Sequence, residues 1–179
     1  MRLFVGIPLA EAVVEELSKV SLRFRAKDDG LRWSARESWH ITLQFLGNTG
    51  QEQYECVVAR LRELRFQSVP VRLEGLGFFD RAGIFFAGVG VSPELTALQQ
   101  RVTVATSHCG FVPEDRPYHP HITLARSKGK DGKHSLRRLE ARIHGQPNLG
   151  RFTAQEFVLY ESVTRPGGSE YSICERFPL

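Results

Sequence analysis

One tetrapeptide occurs twice in this chain. His40-Ile41-Thr42-Leu43 returns unchanged as His121-Ile122-Thr123-Leu124. Four residues alone could coincide by chance, so their context decides. An apolar strand begins at Leu3-Phe4-Val5, and another begins at Ile84-Phe85-Phe86, as far before the second tetrapeptide as the first strand is before the first. Each strand is followed by a helical pattern. Val13, Val14, Leu17, Val20 and Phe24 give one apolar face to a helix over about Glu11 to Arg25. Leu95, Leu98, Val102 and Ala105 form a similar stripe behind Pro93, a residue suited to a first helical turn. Each helix then leads into a His-Ile-Thr-Leu strand. The chain therefore reads as two related lobes, each strand, helix, strand.

Other elements complete this plan. Gln51 to Leu64 reads as a helix. Val69 to Phe79 and Ala82 to Val91 read as a hairpin around Asp80-Arg81. Phe152 to Val163 and Tyr171 to Phe177 read as a second hairpin, with Pro166-Gly167-Gly168-Ser169 as its turn. Lys128 to His134 reads as a mobile loop, and Gln146-Pro147-Asn148 as a break. No long polar linker divides the lobes, so residues 1–179 are expected to form one two-lobed domain. The expected class is α+β, with two antiparallel sheets facing each other across a central cleft and helices outside.

Composition narrows the possibilities. With 41% hydrophobic and 25% charged residues, the chain suits a globular protein. No apolar run approaches the length of a membrane span, and the N-terminus lacks the features of a signal peptide. A cytoplasmic location and a monomer are expected. Cys56, Cys109 and Cys174 make an odd number without a CxxC pair, which argues against a disulfide framework or a thiolate zinc site. Three reduced thiols are expected. The net charge of +4 suits an anionic ligand without requiring one.

Strand geometry gives the tetrapeptides their chemistry. Alternate side chains share a face, so His40 pairs with Thr42 and His121 with Thr123, while Ile41, Leu43, Ile122 and Leu124 point into the core. Two lobes related by a pseudo-twofold axis would set two imidazoles across one cleft. Imidazole titrates near neutral pH, so one can take a proton while the other gives one. Phosphodiester cleavage needs such a pair. Threonine hydroxyls can donate to non-bridging phosphate oxygens.

Both tetrapeptides resemble the His-x-Thr-x motif of the 2H phosphoesterases. Phe45-Leu46-Gly47 after the first and Ala125-Arg126 after the second are similar to the RNA 2′,3′-cyclic phosphodiesterase branch, also called LigT-like or 2′-5′ RNA ligase. The resemblance runs from the strand at Phe4 to the closing hairpin. It implies His40 as proton donor and His121 as proton acceptor. It implies opening of a 2′,3′-cyclic phosphate on RNA ends or nucleotides to a 2′-phosphomonoester, without metal or cofactor. Some members also join RNA ends through a 2′-5′ linkage, which is the alternative activity at the same site.

Further residues carry weaker signals. Strict alternation sets Arg126 on the face opposite His121, yet a strand end or twist could turn it into the cleft. It is taken as a substrate-phosphate contact beside Thr42 and Thr123. Tyr118 is a candidate base contact. Phe45 has the parity of Ile41 and is expected in the core, and Trp33 and Trp39 are expected to pack. His119-Pro120-His121 could suggest a metal pair or a histidine triad. The next alternate residue is Thr123, so the triad pattern fails, and no carboxylate stands at a telling spacing. His108, His134 and His144 are expected to be ordinary surface or hydrogen-bonded core histidines.

Overall fold

The computed structural model describes residues 1–129, 132–165 and 168–179. Alternation along the strands sorts the side chains into two compartments. On β1 (Arg2–Pro8), Leu3, Val5 and Ile7 join the main core, while Phe4 lies in a small separate cluster with Val158 and Tyr160. Helix α1 (Glu11–Phe24) covers the core side with the apolar stripe read from sequence. A three-residue strand, β2 (Leu31–Trp33), precedes the first motif strand, β3 (His40–Asn48). Helix α2 (Gln51–Arg62) leads to the hairpin of β4 (Val69–Phe79) and β5 (Ile84–Val89). Helix α3 (Pro93–Ser107) has Pro93 in its first turn, and Ser92 Oγ caps it by accepting from Leu95 N–H at 3.1 Å. The second motif strand is β6 (His121–Ser127), followed by α4 (Gly132–Glu140), β7 (Arg151–Ala154), β8 (Glu156–Arg165) and β9 (Gly168–Pro178).

Among the described residues, all strand pairs are antiparallel. One sheet has the order β3-β1-β8-β9 and the other β2-β6-β5-β4-β7. The pseudo-symmetry is visible in this order. Each motif strand pairs with the strand that opens its lobe, β3 with β1 and β6 with β5. Each opening strand then pairs with a further strand, β1 with β8 and β5 with β4. The main buried cluster includes residues of both sheets and of helices α1, α2, α3 and α4.

The structure corrects several sequence expectations. Phe152 to Val163 is two strands, not one. The chain changes sheets at Gln155, with β7 pairing with β4 and β8 with β1. Residues 132–134, read as mobile loop, open α4, which buries Ser135, Leu136 and Leu139. Lys130 and Asp131 of that reading, and Pro166 and Gly167 of the closing turn, lie outside the described residues. The two lobes are also one residue out of step. Phe4 stands opposite Phe45, whereas its counterpart opposite Arg126 is Ile84, not Phe85.

The cysteine expectation fails for two of the three thiols. Cys56 on α2 and Cys109 just after α3 form a disulfide, because these helices pack side by side and bring the two Cα atoms to 5.8 Å. Cys174 remains a free thiol, half-buried.

Candidate active site

The two motifs are built alike down to their irregularities. In β3, Gly6 pairs with Thr42 and Val5 with Gln44, which leaves Leu43 as an extra residue. In β6, Phe86 pairs with Thr123 and Phe85 with Ala125, which leaves Leu124 extra. Both bulges fall at the same motif position. A bulge reverses the alternation beyond it. Two consecutive residues are therefore buried in each strand, Leu43-Gln44 and Leu124-Ala125.

This reversal decides where two residues point. Phe4 and Gly6 share a face of β1, so their partners Phe45 and Thr42 also share one. Phe45 is 58% exposed, with its ring 6.0 Å from Phe4, and does not enter the core as strict parity required. By the same geometry Arg126, opposite Ile84, shares a face with Thr123, opposite Phe86. The bulge, rather than twist or fraying, carries Arg126 to the side of His121.

Each imidazole is anchored in the same way. His40 Nδ1 lies 2.7 Å from the Ser38 carbonyl oxygen, and His121 Nδ1 lies 2.8 Å from that of His119. A carbonyl can only accept, so Nδ1 carries the hydrogen in both rings. In the neutral form this leaves Nε2 as the nitrogen with a free lone pair. Aromatic rings flank both. Phe4, Tyr171 and Tyr160 have centroids 4.6, 5.1 and 5.4 Å from His40. Phe79 and Phe86 lie 5.0 and 5.4 Å from His121. Tyr160 and Phe79 occupy matching places, each paired with the residue of the opening strand that faces Phe45 or Arg126.

These walls set the electrostatics. Burial pushes the His40 imidazole down to about 4, against the Ser38 hydrogen bond, and the charges of His121 and Arg126 push the same way. Burial lowers His121 as well, against the His119 carbonyl bond, with the His119 ring and Arg126 adding to it. Arg126 thus acts on both imidazoles in the same direction. Burial raises Tyr160 to about 12 and raises Tyr118 strongly, so both hydroxyls stay protonated.

Tyr118 links the two halves of the site. It stands three residues before His121, and its hydroxyl donates to the Thr42 carbonyl oxygen at 3.0 Å. Thr106 of α3 donates to the buried Gln44 at 2.6 Å, another tie from the second half of the chain to β3. Trp39 is buried, and Trp33 packs on Phe85 while donating to Asp29. His108, His134 and His144 are exposed. Among the described residues, no group of three or more His, Cys, Asp or Glu side chains is placed to hold a metal ion. A groove of about 290 Å³ between α1 and residues 144–149 contains none of the motif residues.

Sequence reasoning missed the aromatic walls. Phe4, Tyr160, Phe79 and Phe86 occur in apolar strands, where an aromatic residue ordinarily signals core. Only the strand register reveals that they border the imidazoles.

Two bulged motif strands, each presenting an anchored histidine and a threonine to one cleft, define a two-histidine enzyme-like fold of duplicated lobes. The chain belongs to the 2′-5′ RNA ligase superfamily, whose model matches residues 8–165. This is the 2H phosphoesterase resemblance carried by the motifs. Similar proteins include an RNA 2′,3′-cyclic phosphodiesterase of Methanocaldococcus jannaschii, 29% identical over 99% of this chain and 100% of that protein. Another, from Aeropyrum pernix, is 35% identical over 73% of this chain and 77% of its own. Among solved structures, E. coli LigT complexed with 3′-AMP superposes with a TM-score of 0.83 at 25% identity, covering 99% and 97% of the two chains.

Proposed function

We propose that this protein is an RNA 2′,3′-cyclic phosphodiesterase that works without metal through His40 and His121. The observation that carries the reading is the matched pair of imidazoles, each fixed through Nδ1 and each leaving Nε2 for proton transfer. The relatives named for this activity and the 3′-AMP held by LigT support a nucleotide phosphate as ligand.

The reaction opens the ring. His121 Nε2 takes a proton from water as the water oxygen bonds to phosphorus. The bond from phosphorus to O3′ breaks, and protonated His40 gives its Nε2 proton to that oxygen. The products are a 2′-phosphomonoester and a 3′-hydroxyl. Thr42, Thr123 and Arg126 hold the non-bridging oxygens, where charge accumulates. Tyr118 is proposed as a contact to the base through its ring, since its hydroxyl is already engaged.

Leaving-group chemistry tests the division of labour. His40→Ala and His121→Ala should each slow turnover of a cyclic substrate by ~10²–10⁴-fold, since each removes one proton-transfer partner. A nitrophenyl phosphodiester, whose leaving group needs no proton, should rescue His40→Ala far more than His121→Ala. Equal rescue would contradict the assignment. A 2′-5′ joined product from RNA ends in the same assay would mark the alternative, ligation at this site.

A further inference from the structure

The row of residues crossing the second sheet beyond Thr123 is unusual in its charge. β2 lies antiparallel to β6 with Arg32 directly opposite Arg126, and Ile84 of β5 faces Arg126 from the other side. Directly opposed residues share a face of the sheet. Arg32 therefore shares the cleft face of Arg126, Thr123 and His121, one strand further out. Both guanidinium-bearing residues are exposed.

Like charges in register destabilise a strand pair. An acid beside them would relieve this, and Asp29 is close in sequence. Its carboxylate is already committed. It accepts from Trp33 Nε1 at 2.8 Å, Leu31 N–H at 2.9 Å and Ala26 N–H at 3.1 Å. Among the described residues neither arginine joins an ion pair. An anion between or along the two guanidiniums would remove the repulsion.

The position of Arg32 says where that anion would lie. A methyl group added at Gly168 would stand 3.8 Å from Arg32 Cδ. Gly168 opens β9, the strand that carries Tyr171 against His40. Arg32 thus reaches from the edge of one sheet to the hairpin of the other.

We infer that Arg32 and Arg126 form a two-phosphate track, with Arg126 on the reacting phosphate and Arg32 on the next phosphodiester of the same RNA strand. The orientation rests on the proposed reaction. A cyclic phosphate closes the 3′ end of an RNA, so the rest of the chain leaves through the 5′ oxygen of the terminal nucleoside. The next anion is one nucleoside away on that side. The planar fork of Arg suits a phosphodiester. A 2′,3′-cyclic mononucleotide has no such second anion, so the substrate class this subsite selects is an oligonucleotide end.

Fluorescence anisotropy with a short 5′-fluorescein oligoribonucleotide ending in a 3′-phosphate reads the subsite without turnover. Arg32→Ala should weaken binding on the order of tenfold, as loss of a charge-assisted contact does. It should also lower the slope of log affinity against log salt by about 0.7, the value for one phosphate contact on a single strand. Arg32→Lys should keep that slope while recovering only part of the affinity. Arg32→Lys should keep the wild-type thermal midpoint, and Arg32→Ala, which removes the repulsion between the paired strands, should not lower it. In steady state, KM for a cyclic-ended oligonucleotide should rise more than KM for a 2′,3′-cyclic mononucleotide, with kcat little changed. Unchanged binding in Arg32→Ala, equal loss for oligonucleotide and mononucleotide, or no oligonucleotide binding by the wild type would overturn the inference. Failure of the proposed reaction would appear separately, as wild-type protein that binds the oligonucleotide and forms no product from its cyclic end.

Discussion

His40 begins in an unfavourable state for a proton donor. With burial holding its pKa near 4, little of it is charged at neutral pH. A phosphate anion between the imidazoles changes this, since an opposite charge within a few ångströms favours the protonated form. The kcat/KM profile reports the free enzyme and the kcat profile reports the complex. The kcat/KM maximum should therefore lie on the acid side of pH 6.5, and the kcat maximum at higher pH. The apparent pKa values belong to the pair. Coincident profiles would contradict the account. The same burial has a consequence for stability. The folded pKa of His40 lies below the 6.5 of a free imidazole, so between those values the unfolded chain binds more protons. Stability is full above about pH 6.5 and is lost as pH falls toward 4. The thermal midpoint of the wild type should drop more across that window than that of His40→Ala. Equal drops would mean that His40 is not held neutral by burial.

At the level of elements, the disulfide ties α2, which follows the first motif, to the end of α3, which precedes the second. It closes a span of 53 residues. In the chain-entropy model a loop of that length is worth about 4 kcal/mol. Cys56→Ser, or reduction of the wild type, should lower the thermal midpoint by on the order of 10 °C. A midpoint unmoved by reductant would contradict a formed disulfide. The pairing was not legible in the sequence, because it depends on two helices lying side by side and no local spacing records that. The bulges were equally hidden. Strict alternation placed Phe45 in the core and left Arg126 without a structural route into the cleft. One unpaired residue per strand, Leu43 and Leu124, reverses both. Helix α4 was obscured because its nine residues show only a short apolar pattern among basic side chains. The three-residue β2 was too short to signal itself, yet it carries Arg32 into register with Arg126. By contrast, α1, α2 and α3 were legible because in each the apolar period matches one buried face, and the two motif strands because alternation holds from the histidine to the bulge.

For the whole molecule, duplication explains why two histidines suffice to build a site. Each lobe presents the same short strand, and antiparallel sheets bring the two copies to one cleft. The lobes then diverge at matching positions. Where one presents exposed Phe45, the other presents Arg126, and where one lines its histidine with Phe4, the other uses Phe86 from the neighbouring row. A symmetric frame thereby presents an asymmetric pair of faces, with exposed Phe45 in one lobe where the other has exposed Arg126. No described helix is long and apolar enough to cross a membrane. The most direct test of the central claim is the product formed from an oligoribonucleotide ending in a 2′,3′-cyclic phosphate, incubated with purified protein in EDTA. The account predicts full turnover to a 2′-phosphomonoester with a free 3′-hydroxyl. Loss of activity in chelator that returns with zinc or manganese, or a 3′-phosphate as product, would contradict it.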